Sequence, residues 1–183
     1  MTILLTGLIL FFGVHLVSAT PIKPILIARF SEKSYKGFYA LVSLVGLLLI
    51  IVGKVKAPDE IIWNGLPDLR VLALPTMWIS FILLPAANMK GNVKRFTRHP
   101  MLWGIVAWSS IHFLINGDLA SMLLFGSFFV YSLFAMASQT LRGATKQQNV
   151  MPLKFDLIVL AAGTTVFVVV LLLHGVLFGV PLV

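Results

Sequence analysis

The stretch Leu41-Val42-Ser43-Leu44-Val45-Gly46-Leu47-Leu48-Leu49-Ile50-Ile51-Val52 is apolar everywhere except at Ser43 and Gly46. An outer-membrane barrel strand would alternate polar and apolar residues over ~10 positions, and this stretch does not alternate. Hydrocarbon offers backbone N–H and C=O groups no partner. A continuous apolar run has to bond them within itself, and that means a helix. Outward from it, five more such runs follow the same logic. The six lie at 2–20, 34–53, 69–87, 100–115, 119–138 and 155–180. About 20 apolar residues match the hydrocarbon thickness of a bilayer. The expected architecture is therefore an all-α, polytopic membrane bundle of six transmembrane helices, forming one transmembrane domain over residues 1–183.

Composition agrees. Of 183 residues, 59% are hydrophobic and 11% charged, and mean hydropathy is +1.01. Soluble domains carry about 45–50% apolar and about 25% charged residues. There is no cysteine, which excludes disulfides, thiol catalysis and iron–sulfur clusters. Only six acids are present, none in the middle of an apolar run, so a carboxylate-driven or two-metal hydrolase is not expected. The net charge of +8 would raise nucleic-acid binding in a soluble chain. Here the cations sit in short connections, and topology accounts for them.

Turn residues mark the connections. Pro21 and Pro24 are expected to stop the first helix, and Pro58 and Pro67 bracket the second connection. Thr97-Arg98-His99-Pro100 reads as a helix entrance, with proline in the first turn. Asn116-Gly117-Asp118 reads as a tight turn whose aspartate caps the fifth helix. Pro75 and Pro85 are expected to kink the third. Eleven of the 14 cations fall in or beside the first, third and fifth connections. By the positive-inside rule those loops face the cytoplasm and both termini face outward, toward the periplasm of an inner-membrane protein. The first run has no positive residue before Lys23, unlike a signal peptide, so it is expected to stay in the mature chain.

An ionisable residue within a span costs free energy and by default marks function. Four histidines qualify. His15 lies within the first run and His112 within the fourth. Each reads either as a neutral imidazole bonded to a backbone carbonyl or as a metal or haem ligand. Gly104, Trp108 and Asn116 share the helical face of His112. Gly104 either admits something flat or packs against another helix, and Ser109 is a candidate to orient the imidazole. His99 sits at the interface, where water is expected to reach it, and is the alternative ligand. His174, near the outer end of the last run, reads as structural.

Two intramembrane histidines on different helices suggest a bis-histidine site, as helical bundles build from facing side chains. Without a CxxCH motif the haem would be b-type and non-covalent. Lys94, Arg95, Arg98 and Arg142 lie near the expected cytoplasmic face and would suit propionates, although topology explains them better. At 1.5 Å per residue, His15 stands roughly 8 Å above the cytoplasmic end of its run and His112 roughly 18 Å above the start of its own. That leaves a mismatch of about 10 Å for tilt or shifted boundaries to absorb.

Phe11-Phe12-Gly13-Val14-His15, Tyr35-Lys36-Gly37-Phe38-Tyr39-Ala40-Leu41-Val42-Ser43-Leu44-Val45-Gly46, Arg98-His99-Pro100-Met101-Leu102-Trp103-Gly104, Trp108-Ser109-Ser110-Ile111-His112-Phe113-Leu114-Ile115-Asn116-Gly117-Asp118 and Leu124-Phe125-Gly126 resemble, in order and spacing, motifs of NnrU-type proteins. The resemblance covers about residues 1–135, and the tail after Gln139 carries no motif of this kind. It implies a role linked to nitrogen-oxide metabolism and denitrification. It also points to a relationship with zeta-carotene isomerase, a haem b enzyme that isomerises a cis double bond. Carried over, it implies haem b with His15 and His112 as axial ligands. The isomerase has a cysteine one turn before its second histidine, whereas here Ser109, Ser110 and Ile111 fill that turn. The expected partners are the lipid bilayer and an apolar polyene or a small gas, with no nucleic acid. Whether the chain is an enzyme stays open between a haem-dependent isomerase, a nitrogen-oxide-linked haem protein and a cofactor-free assembly or transport protein. Against transport, there is no buried acid for coupling and no internal repeat pair.

Overall fold

The computed structural model describes residues 1–20 and 22–180. Among them there is no strand, only an isolated bridge between Ile61 and Asp118. The elements are α1 (Thr2–Val17), α2 (Ile22–Phe30), α3 (Glu32–Val55), a 3-10 helix (Pro67–Leu72), α4 (Ala73–Ala86), α5 (Val93–Phe96), α6 (Pro100–Ile115), α7 (Leu119–Leu141) and α8 (Leu153–Phe178). The chain divides into two compact units, Met1–Glu60 and Ile61–Val183.

Four helices are long and apolar enough to cross a membrane: Glu32–Val55, Pro67–Ala86, Leu119–Leu141 and Leu153–Phe178. A fifth is added if the bent pair Thr2–Val17 and Ile22–Phe30 counts as one span, while Pro100–Ile115 is a shorter apolar helix. The first connection, read as a loop, contains α2. Pro24 does not stop a helix; it lies in the first turn of α2, where its missing N–H costs nothing. The expected stop at Pro21 lies outside the described residues. The interruption expected in the third run falls at its start, where a 3-10 helix gives way to α4, with Pro85 in the last turn.

In the first unit α1 packs along α3. Gly7, Gly46 and Gly53 let the two backbones approach. A Cβ on Gly46 would stand 2.8 Å from the Phe11 nitrogen, and one on Gly7 would stand 2.7 Å from the Ile50 nitrogen. Leu4 and Ile50 are buried along this seam. Lipid tails are as apolar as leucine, so close van der Waals approach rather than water exclusion holds such helices together. Ser31 begins α3, its hydroxyl accepting the Ser34 N–H at 3.3 Å. Lys36 pairs with Glu32 at 2.6 Å, but both side chains are exposed and the pair is worth little.

In the second unit α4 packs against both α6 and α8. The buried Ser80 hydroxyl donates to the Gly104 carbonyl at 2.7 Å. Gly163 of α8 meets the backbone of Ile82, and Trp78 donates to the Thr164 hydroxyl at 2.9 Å. Gly104 therefore serves helix packing and opens no face for a flat ligand. Asp118 caps α7 as expected, accepting the Ser121 N–H at 2.8 Å. The Gly117 carbonyl accepts from Ile62 at 2.8 Å and from Trp63 at 3.2 Å, docking the 61–66 segment onto the turn.

Candidate functional site

His15 occupies the last turn of α1. Its Nδ1 lies 2.6 Å from the Phe11 carbonyl, one turn back. A carbonyl only accepts, so Nδ1 carries the proton and the lone pair of the neutral ring lies on Nε2. The Phe11 ring stacks on the imidazole at 4.2 Å with an interplanar angle of 26°, and Tyr39 of α3 lies 5.1 Å away. Phe11 thus holds His15 by both its carbonyl and its ring, and its own backbone is held against Gly46.

His112 repeats the arrangement in α6. Its Nδ1 lies 2.8 Å from the Trp108 carbonyl, which again places the lone pair on Nε2. Phe125 of α7 packs on the imidazole at 4.8 Å, and Trp108 meets Phe125 and Phe128 edge-on at 5.1 and 5.2 Å. Asn116 donates its side-chain amide to the His112 carbonyl at 2.7 Å. Ser109 does not orient the imidazole. It is fully buried and donates to the Ile105 carbonyl at 2.7 Å. A serine in mid-helix has that i−4 carbonyl within reach, and in lipid no water competes for its hydroxyl.

Of the two remaining histidines, His99 departs from expectation. His99 is 9% exposed, so it is buried rather than washed by water, and its Nε2 lies 3.0 Å from the Thr140 hydroxyl of α7. Thr140 carries no signal in the sequence, because only folding brings the end of α7 to the start of α6. His174, read as structural, has Nδ1 2.6 Å from the Val180 carbonyl.

An apolar cavity of about 190 Å³ lies one helical turn from His112, walled by Met77, Phe81, Leu84, Ile105, Trp108 and Phe128. That is below the ~300–1,000 Å³ of drug-sized ligand sites. Among the described residues no group of three or more histidine, aspartate or glutamate side chains could hold a metal ion. A haem would supply the remaining ligands to a histidine, and His15 and His112 each have, singly, the donor arrangement of a metal-bound histidine, the Nδ1–H given to a carbonyl.

No curated protein and no solved structure matches the chain. One family model, described as NnrU protein, matches residues 3–182. The match reaches through the tail after Gln139, where no motif stood out by inspection.

Proposed function

The chain belongs to the NnrU family, and from that premise we propose that it is an inner-membrane protein that binds haem b through His15 and His112 in a role linked to nitrogen-oxide metabolism. The observation that supports this best is the shared tautomer: in both residues an i−4 carbonyl holds the Nδ1 proton and leaves Nε2 basic. His99 is kept as the alternative ligand; its Nε2 is engaged by Thr140. When bound, haem supplies a Lewis-acidic iron and a redox couple. The chain's own residues set the conditions. Phe11 and Trp108 fix the two rings, Phe125 packs on His112, and the cavity beside Trp108 gives a small gas an apolar place to wait.

The test is the visible spectrum of the detergent-purified, haem-supplemented protein. A Soret band with sharp reduced α and β bands is expected, and His15→Ala or His112→Ala should each abolish the low-spin spectrum. Apoprotein without such a band sinks the reading and leaves the assembly or transport alternative. If His99→Ala or His174→Ala removes the band while His15→Ala does not, the axial pair is wrong.

A second reading is isomerisation of a carotenoid-like polyene. It rests on the resemblance to zeta-carotene isomerase, and Ser109 weighs against it. The turn that holds the isomerase's cysteine has no cysteine here, and its Ser109 hydroxyl is turned onto its own helix, so ligand exchange by that route has no thiolate donor.

The proposed topology has six spans with both termini outside. It requires α1 and α6, each of 16 residues, both to cross. At 16 residues α6 spans roughly 24 Å, short of a ~30 Å core, so it has to sit among longer neighbours. Gly143, in the basic fifth connection, should then face the cytoplasm and Asn116 the outside. The cysteine-free chain makes a clean background for the measurement. In intact cells a membrane-impermeant maleimide should label Asn116→Cys and spare Gly143→Cys. The reverse pattern inverts the topology.

A further inference from the structure

At the basic end of the second unit, an open groove of about 730 Å³ runs between the start of α6 and the end of α7. Trp103, Leu133 and Met136 contribute apolar walls, and Arg98, His99 and Lys146 supply the charged and imidazole groups. No aspartate or glutamate lines it. Among the described residues the Arg98 guanidinium and the Lys146 ammonium make no ion pair. His99 is nine-tenths buried, with Nε2 committed to Thr140 and Nδ1 without a hydrogen bond. The groove therefore asks for two things at once: an anion for its cations and hydrocarbon for its walls. A free anion leaves Trp103 and Leu133 uncovered. A neutral lipid leaves both cations unpaired.

We propose that this groove binds one anionic phospholipid, its phosphodiester against Arg98 and Lys146 and one acyl chain along Trp103, Leu133 and Met136. The imidazole Nδ1 of His99 is a third polar contact for the headgroup. Basic pockets at the charged ends of transmembrane helices take anionic headgroups in this way. Neither proposed axial ligand, His15 or His112, lines the groove.

The test uses the whole protein in neutral detergent and native mass spectrometry, titrating dioleoylphosphatidylglycerol against dioleoylphosphatidylcholine. The anionic lipid is expected to bind one to one and about tenfold or more tightly than the neutral one. A double variant, Arg98→Gln with Lys146→Gln, should bring both lipids to the same affinity. Lys23→Gln with Arg29→Gln removes equal charge from the first unit and should leave the preference intact. Ala137→Trp, which fills the groove but keeps its charges, should weaken phosphatidylglycerol binding about as much as the charge variant does. The proposal is overturned if the two lipids bind equally, or if both double variants lose the preference alike, which means diffuse attraction. It is also overturned if millimolar inorganic phosphate displaces the lipid, which means a site for a free anion.

Discussion

Gly53→Val detaches α1 from α3 in the first unit, while Gly37→Val, on the same helix, leaves the unit as it was. A Cβ at Gly53 would run into the backbone nitrogen and Cα of Leu4, atoms that no rotamer change can move aside. A Cβ at Gly37 meets nothing within 4 Å. Relief at Gly53 requires the helices to part, and the seam has nothing to spare. Gly7 and Gly46 are equally close to the opposing backbone, so a shift at one contact opens the others. Overpacking a tight core costs about 1–3 kcal/mol and occasionally more. Here the upper end is expected, because the clash is with main chain and because helix association in lipid depends on this approach. The four tryptophans, Trp63, Trp78, Trp103 and Trp108, all lie in the second unit, so none reports directly on the seam. Hydrogen exchange read by mass spectrometry does. Peptides from α1 and α3 should exchange faster in Gly53→Val than in Gly37→Val. Equal exchange in Gly53→Val and Gly37→Val would remove the glycine seam from the account of this unit.

That seam shows where the sequence stopped being readable. Leu41–Val52 announces a helix because it is apolar throughout, and for the same reason it conceals which face meets a neighbour. Periodicity locates a buried stripe only when the opposite face is polar. The one available signal was the spacing of Gly46 and Gly53, seven residues or about two turns apart and so on one face. Helix ends were more legible. Pro100 and the Asn116-Gly117-Asp118 turn bracket α6 at the expected residues, because prolines and caps act locally. α2 went unread because Ile22–Phe30 is short, includes Pro24 and lies among cations, so it looked like a loop. The site followed the same division. The bonds from His15 and His112 to carbonyls one turn back are fixed by helix geometry. The partners from other elements, Tyr39, Phe125 and Thr140, arise only from packing.

Asn92→Ala releases the fifth connection from the third. Asn92 is the residue on which the basic end of the second unit closes. Its side-chain amide donates to the Met151 carbonyl at 2.8 Å, and its side-chain oxygen accepts the Met151 N–H at 2.9 Å. The same amide donates to Asp156 Oδ2 at 2.5 Å, and its backbone N–H donates to Oδ1 at 2.6 Å. Gln147 adds a backbone bond to the Lys94 carbonyl at 3.0 Å and a side-chain bond to the Gly91 carbonyl at 3.2 Å. Alanine keeps the backbone bond to Asp156 and loses the other three. The two to Met151 alone are worth about 1–3 kcal/mol at ordinary strengths, a roughly 5- to 150-fold shift in local opening. Arg142 and Lys146 stand in the segment that this clamp holds, and a protease cuts such a segment in proportion to the time it spends open. Trypsin should therefore nick Asn92→Ala there at least fivefold faster than the parent chain. Asn149→Ala is the control, because only the Asn149 carbonyl takes part, accepting from Gln147 at 2.7 Å. Its cleavage should match the parent. Parent-like cleavage of Asn92→Ala would mean that the connection is held by Gln147 and the start of α8 without the asparagine. The faster rate, confined to Arg142 and Lys146, would place the closure of this end on one side chain.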